Sequence, residues 1–153
     1  MTHRLNNHER SASVVMTTLI DTNVILDALL GREPFYTSAQ QIFILTAEEQ
    51  IEGCITASSV TDIFYLLMRY LHDNTRCKQE LSKLLTLFTV LDVNGTDCER
   101  ALQSSMLDYE DALLSTCGKR AKVDCIITRN IKDFADSPVR AIAPDDFLKG
   151  FTS

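Results

Sequence analysis

Short apolar runs alternate along the chain with stretches in which apolar residues recur every third or fourth position. Thr17-Thr18-Leu19-Ile20 reads as a first strand, broken by Asp21; a helical pattern then runs from Val24 to Leu30 and stops at Gly31. Glycine fits the left-handed position that follows a helix. Pro34 cannot extend that helix, so Glu33-Pro34 marks a turn. Ala39, Ile42, Phe43 and Thr46 share one face of a second helix predicted over 38–49, and Ile51 to Thr56 reads as the second strand. Ser58 or Ser59 offers an N-cap to a long helix whose Val60, Ile63, Phe64, Leu67, Met68 and Leu71 form a core-facing stripe.

Leu81, Leu84, Leu85 and Phe88 place another amphipathic helix over about 78–86, followed by a strand over 89–93. Asn94-Gly95 reads as a turn pair, 97–105 as a helix, and Asp108-Tyr109-Glu110-Asp111 as the start of a further helix that continues to Gly118. The next strand, 123–128, has an apolar centre, Cys125-Ile126-Ile127, without alternation, as expected when both faces are covered. A short strand over 139–143 and a closing helix over about 145–149, with Pro144 at its first position, complete the pattern. Strands separated by helices predict an α/β fold: a parallel sheet with helices on both faces. Residues 1–15 lack periodicity and apolar anchors and are expected to form a flexible tail, leaving 16–153 as one domain.

Composition narrows the function. No apolar run approaches the ~20 residues needed to cross a bilayer, and Met1 to Ser13 lacks the apolar core of a secretion signal, so a cytoplasmic location is expected. Five scattered cysteines with no paired spacing read as free, mostly buried thiols. His3, His8 and His72 support neither a histidine metal site nor a nucleophile triad. Acid–base chemistry therefore falls to carboxylates or a metal. A net charge of −6 argues against a broad basic surface for nucleic acid and leaves room for a local basic rim.

Asp21 is the first acid to explain, because a carboxylate directly after a buried strand is costly unless its charge is used. It reads either as a helix cap or as a functional group. Asp62 falls in the first turn of the helix after strand two, Asp111 in the first turn of another, and Asn130 and Asp133 follow the 123–128 strand. In an open parallel sheet the strand ends and following helix starts share one rim, where ligands bind. Carboxylates converging there repel and raise one another's pKa values, a conflict that a divalent cation resolves. Mg²⁺ or Mn²⁺ suits sparse hard-oxygen ligands and phosphate chemistry. The plain alternatives are an exposed Asp62 at a helix N-terminus, Asp111 in a cap with Asp108, Glu110 as a solvated acid, a capping Asn130, and Asp133 in an ion pair.

Leu19-Ile20-Asp21-Thr22-Asn23-Val24, Ser58-Ser59-Val60-Thr61-Asp62-Ile63, Asp108-Tyr109-Glu110-Asp111-Ala112-Leu113 and Ile127-Thr128-Arg129-Asn130-Ile131-Lys132-Asp133-Phe134 together resemble, in order, the four motifs of PIN-domain ribonucleases. The resemblance implies a three-layer α/β/α sandwich with a central parallel sheet and an Mg²⁺- or Mn²⁺-dependent endoribonuclease site. Many bacterial members are VapC-like toxins, inhibited by a cognate antitoxin and usually homodimeric. Carried over, Asp21, Asp62, Asp111 and Asn130 form the catalytic set, with Asp21, Asp111 and Asp133 toward metal. Asn23, Ser59 and Thr128 support the site, and Arg129 and Lys132 flank it as contacts for the RNA backbone. Two departures stand out: Asp62 replaces the usual Glu, shortening the arm by one methylene, and Asn130 offers an oxygen without charge where some members carry Asp. They favour the alternative reading, a weak or inactive PIN-fold regulator that binds RNA or protein.

Overall fold

The structure, a computed structural model, describes residues 15–152, so the predicted tail lies outside the described residues except for Val15. Five parallel strands form one sheet in the order β3-β2-β1-β4-β5. They are β1 (Met16–Ile20), β2 (Ile51–Thr56), β3 (Thr89–Leu91), β4 (Cys125–Ile127) and β5 (Ala141–Ile142). The helices among the described residues are α1 (Thr22–Leu30), α2 (Tyr36–Ala47), α3 (Ala57–Leu71), α4 (Asn74–Leu87), α5 (Gly95–Leu102), α6 (Tyr109–Arg120) and α7 (Pro144–Thr152), with a 3-10 turn at Ile131–Phe134. None is long and apolar enough to cross a membrane.

Strand alternation divides the core into two layers. Ile20, Ile55, Cys125 and Ile127 face one cluster with residues of α1, α2, α3, α4 and α7, whereas Leu19, Cys54 and Ile126 face a second with residues of α5, α6 and the 3-10 turn. This is the predicted three-layer α/β/α sandwich. β1 pairs with β2 through Leu19 opposite Cys54 and with β4 through Leu19 opposite Ile126, so the chain first builds the sheet to one side of β1 and then to the other. The carboxyl end of β1 is thus the switch point, where open α/β sheets leave a crevice.

Element ends differ from the sequence pattern where polar caps decide them. The Asp73 carboxylate accepts from the Arg76 amide at 3.1 Å, so α4 begins a turn before its apolar stripe. Asn94 and Asp97 form a reciprocal capping box, which makes Asn94-Gly95 the start of α5 rather than a free turn, and α5 ends at Leu102. Thr56 is the residue before α3, so Ser58 and Ser59 lie inside the helix rather than at its cap. The last three strands are shorter than predicted, and α7 starts at Pro144 as expected but runs to Thr152. Gly31 has φ 64° and receives the end of α1. Gly53 answers a different need: a Cβ there would lie 2.8 Å from the Phe88 ring and 2.9 Å from the Thr46 hydroxyl.

Candidate active site

Asp21 caps α1 and also lines the cleft at the end of β1. Its amide donates to the Ile127 carbonyl at 3.0 Å, tying the end of β1 to β4. One carboxylate oxygen accepts from the Thr22 amide at 2.8 Å and caps α1; the other accepts from the Thr128 hydroxyl at 2.7 Å. Only 8% of Asp21 is exposed, and that burial pushes its pKa above 3.8; Thr128, Thr22 and Arg129 oppose the shift, while Asp108 adds to it. Thr128 is fully buried and its oxygen also accepts from the Asn130 amide at 3.0 Å. One hydroxyl therefore fixes both Asp21 and the turn after β4.

A cleft of about 230 Å³ opens at this end of the sheet, lined by Asp21, Asp62, Glu110 and Asp111, with Ser58 and Ser59. The Ser59 hydroxyl donates to the Thr56 carbonyl at 2.8 Å, which holds the first turn of α3 against the strand end. Capping of α6 is done by Asp108, whose carboxylate accepts from the Asp111 amide at 2.9 Å. That leaves the Asp111 side chain free for the cleft. Burial raises its pKa from 3.8 to about 7, with Asp108, Asp21, Asp133 and Glu110 all pushing the same way.

Glu110 is exposed, as the sequence suggested, yet it also belongs to the cleft, a role the sequence reading did not give it. It lines the cleft, and its pKa is raised by burial and then by Asp62, Asp108 and Asp21. The available signal was its place beside Asp111 in the first turn of α6, since neighbours on a helix differ by only about 100°. Asn130 and Asp133 sit differently: both are exposed, on the turn after β4, outside the cleft lining. Asp133 reaches Asp111 through its charge. Asn23 occupies the first turn of α1, and its side-chain oxygen is buried with no hydrogen-bond partner among the described residues. Lys132 is exposed on the 3-10 turn. Arg129, by contrast, points its guanidinium at Asp27, with Nε at 2.6 Å and Nη2 at 3.2 Å, and stacks 3.9 Å over the Phe35 ring.

No three His, Cys, Asp or Glu side chains among the described residues close into a finished metal cage. The donor set nevertheless fits a hard divalent ion. Such ions take one or two protein carboxylates and complete their shell with water and substrate, and Asp21, Glu110 and Asp111, whose pKa values burial raises first and neighbouring acids further, share this cleft with Asp62. The five cysteines are free and four of them are buried, outside this chemistry.

The five-stranded parallel α/β/α sandwich is the fold this chain shares with solved VapBC chains. Residues 17–132 match the sequence model of the family described as PIN domain, and the chain belongs to that family. A chain in a toxin–antitoxin complex from Klebsiella pneumoniae is 26% identical, with a TM-score of 0.62 over 83% of this chain and 97% of that one. VapBC2 from Rickettsia felis, bound to a DNA fragment from its promoter, matches with a TM-score of 0.64 at 14% identity over 84% of this chain and 98% of that one. Mycobacterium tuberculosis VapC20, a toxin that cleaves the sarcin-ricin loop, matches with a TM-score of 0.56 at 14% identity over 71% and 86% respectively. No curated protein sequence matches.

Proposed function

We propose that this PIN-domain protein is a divalent-metal-dependent endoribonuclease that hydrolyses RNA phosphodiester bonds, and the toxin member of a toxin–antitoxin pair. The observation that carries the reading is the convergence of Asp21, Asp62, Glu110 and Asp111 on one cleft at the switch point of the sheet. Asp21 and Asp111 would hold Mg²⁺ or Mn²⁺, a role supported by their shared place in the cleft with Asp62 and Glu110, and Asp133 acts on Asp111 through its charge. When bound, the ion would activate a water nucleophile and offset charge on the phosphate and the leaving oxygen. Thr128 holds one Asp21 oxygen and the α1 amide of Thr22 holds the other, so the carboxylate keeps one orientation. Asp108 engages the α6 backbone and keeps Asp111 available.

Purified protein incubated with RNA and Mn²⁺ or Mg²⁺ tests this directly: wild type should cleave, and Asp21→Asn and Asp111→Asn should not. Cleavage that survives both substitutions overturns the reading. A second reading, a PIN-fold regulator without catalysis, is favoured by the short arm of Asp62 and by the exposed Asn130 outside the cleft lining. Titration calorimetry with Mn²⁺ separates them, because a pure binding module takes up no metal through Asp21 and Asp111.

An antitoxin and a second copy of the chain belong to the same proposal, as does a cytoplasmic location. Toxin–antitoxin complexes among the structural neighbours support the antitoxin, and exposed Tyr65, Leu102 and Leu107 supply apolar surface for protein contacts. A small reading frame abutting this one, whose product co-purifies with the chain, is the expected companion.

A further inference from the structure

At the end of α6 away from the acids, the chain gathers cations. A second cleft, about 390 Å³, is lined by Lys119, Lys122 and Arg140 around Val123, Pro138 and Val139, with Asp124 at its edge. Asp124 is already used: its carboxylate accepts from the Thr17 amide at 2.8 Å. None of the three cations makes an ion pair or side-chain hydrogen bond with a described residue, although Arg32, Arg120 and Arg129 all hold carboxylates. In a chain of net charge −6, three unpaired cations around one concavity form a local reversal of sign.

The backbone beneath them adds a second observation. α6 closes with the Val123 amide on the Gly118 carbonyl at 3.1 Å and the Lys122 amide on the Lys119 carbonyl at 3.2 Å. This is a Schellman termination, whose left-handed position is normally glycine. Here Lys122 occupies it, with φ 59°. Glu49 and His72 hold the same left-handed conformation at other helix ends, and Lys122 is the one of the three that brings a cation to this cleft.

We infer that this cleft is a binding site for the phosphate backbone of an RNA strand, at a distance from the acid cleft. The inference rests on the ribonuclease reading and deepens it by naming where substrate affinity arises. The metal-free acid cleft repels polyanions and Arg129 is held by Asp27, which leaves the exposed Lys132 as the cation on the turn after β4, so a second source of charge attraction would strengthen the hold on RNA. The 12 residues of α6 separate the two clefts by roughly 18 Å, from a rise of about 1.5 Å per residue. Cations spread around a volume larger than a single phosphate, over an apolar floor of Val123 and Val139, suit successive nucleotides of a strand. RNA is favoured over an acidic peptide because one helix joins this cleft to the proposed cutting site. A substrate long enough to reach both is bound tightly; a very short one meets only the acid end.

The test is RNA binding in EDTA, which excludes cleavage, followed by fluorescence anisotropy of a labelled RNA long enough to span both clefts. The variant Lys119→Gln/Lys122→Gln/Arg140→Gln should bind about tenfold more weakly at low salt. Its slope of log affinity against log salt should fall by about 2, the share of three single-strand phosphate contacts. The Arg-for-Lys variant at 119 and 122 should retain both. Lys122→Gly should raise the melting temperature while weakening RNA binding, opposite movements that a purely structural lysine would not produce. Cleavage of a very short RNA in Mn²⁺ should be unchanged in the triple variant. Unchanged affinity and slope for the long RNA overturn the inference, as does loss of polyglutamate binding with RNA binding intact. If wild type binds RNA through this cleft and cleaves none with Mn²⁺, the ribonuclease reading falls and this one stands.

Discussion

Arg129 and Asp27 form a forked ion pair across the boundary between α1 and the turn after β4, with Asp27 only 1% exposed and the Arg129 guanidinium stacked on Phe35. Arg32 adds a weaker contact to the same carboxylate at 3.7 Å. The pair lies between the residues that hold the site, since Thr128 and Asn130 flank Arg129 in sequence. Removing one partner of a buried pair strands the other, so Asp27→Ala should destabilise the protein by about 3 kcal/mol in urea denaturation. An unchanged unfolding midpoint would show that the pair contributes nothing.

The contact from Thr128 to Asp21 gives a sharper functional expectation. Thr128→Val keeps shape and burial but removes the hydroxyl, and with it a bond that favours ionised Asp21. The pKa of Asp21 then moves further up, so a higher pH is needed to ionise it. Cleavage near neutral pH should fall by roughly ten- to a hundredfold, matching the ~1.5–3 kcal/mol of a hydrogen bond to a charged group. Activity should partly recover as pH increases. A pH–rate profile superimposable on wild type would contradict this.

These two pairs also mark what the linear pattern carried and what it did not. Leu19 and Ile20 announced a buried strand, and the acids of the first three motifs line one cleft while Asn130 and Asp133 of the fourth stay outside its lining, because periodicity and the α/β rule act on neighbouring residues. Asp27 and Arg129 stand 102 positions apart, and no local pattern joins them. Arg129 looked like a backbone contact for RNA because basic residues beside a site usually face solvent. Glu110 is exposed as expected, but its place in the cleft was not legible, because Asp62 and Asp21, which act on it, arrive from other elements. Cap positions were misjudged for a related reason: at Asp73 and Asn94 the bond that starts the helix precedes its apolar stripe.

Glu110 should therefore matter to metal uptake. Glu110→Gln removes one of the charges that face the cleft while leaving the Asp108 cap in place. Calorimetric titration should show Mn²⁺ affinity lowered by about tenfold, the order of one lost charged contact near 1.4 kcal/mol. An affinity equal to wild type would return Glu110 to the status of a solvated acid.

Asp111 predicts an unusual pH dependence of stability in the metal-free protein. Its folded pKa, about 7, lies above its ordinary 3.8, so the folded state prefers the protonated form. The stability it contributes is complete below pH 3.8 and is lost as pH rises through about 7. Asp21 and Glu110, also raised, act in the same direction. The melting temperature in EDTA should thus fall from pH 5 to pH 8, and Asp111→Asn should raise it at pH 8 and flatten the slope. Mn²⁺ added at pH 8 should stabilise wild type and leave Asp111→Asn nearly unmoved. A destabilised Asp111→Asn protein in EDTA at pH 8 would refute the account of a carboxylate raised by burial and by its acidic neighbours.

Asp97 carries the opposite sign. It is fully buried and accepts from Arg120 at 2.9 Å and 2.8 Å, while the Asn94 amide donates to it at 3.0 Å. The Arg120 guanidinium lowers its pKa from 3.8 to about 2, so its contribution is present above pH 3.8 and is lost as pH falls through about 2. Arg120 reaches on to the Asp92 carbonyl at 2.6 Å, so one side chain ties α5 and the end of β3 to the last turn of α6. Asp97→Asn should cost about 2 kcal/mol, a figure reduced because the arginine remains about a third open to water. It should also remove the acid sensitivity below pH 4. Since Asp111 erodes stability on the alkaline side and Asp97 on the acid side, the metal-free protein should be most stable in mild acid, and Asp97→Asn should shift that maximum downward in pH. Circular dichroism melts across pH 2–8 read both limbs, and a maximum that stays in place in Asp97→Asn would assign the acid limb to other groups.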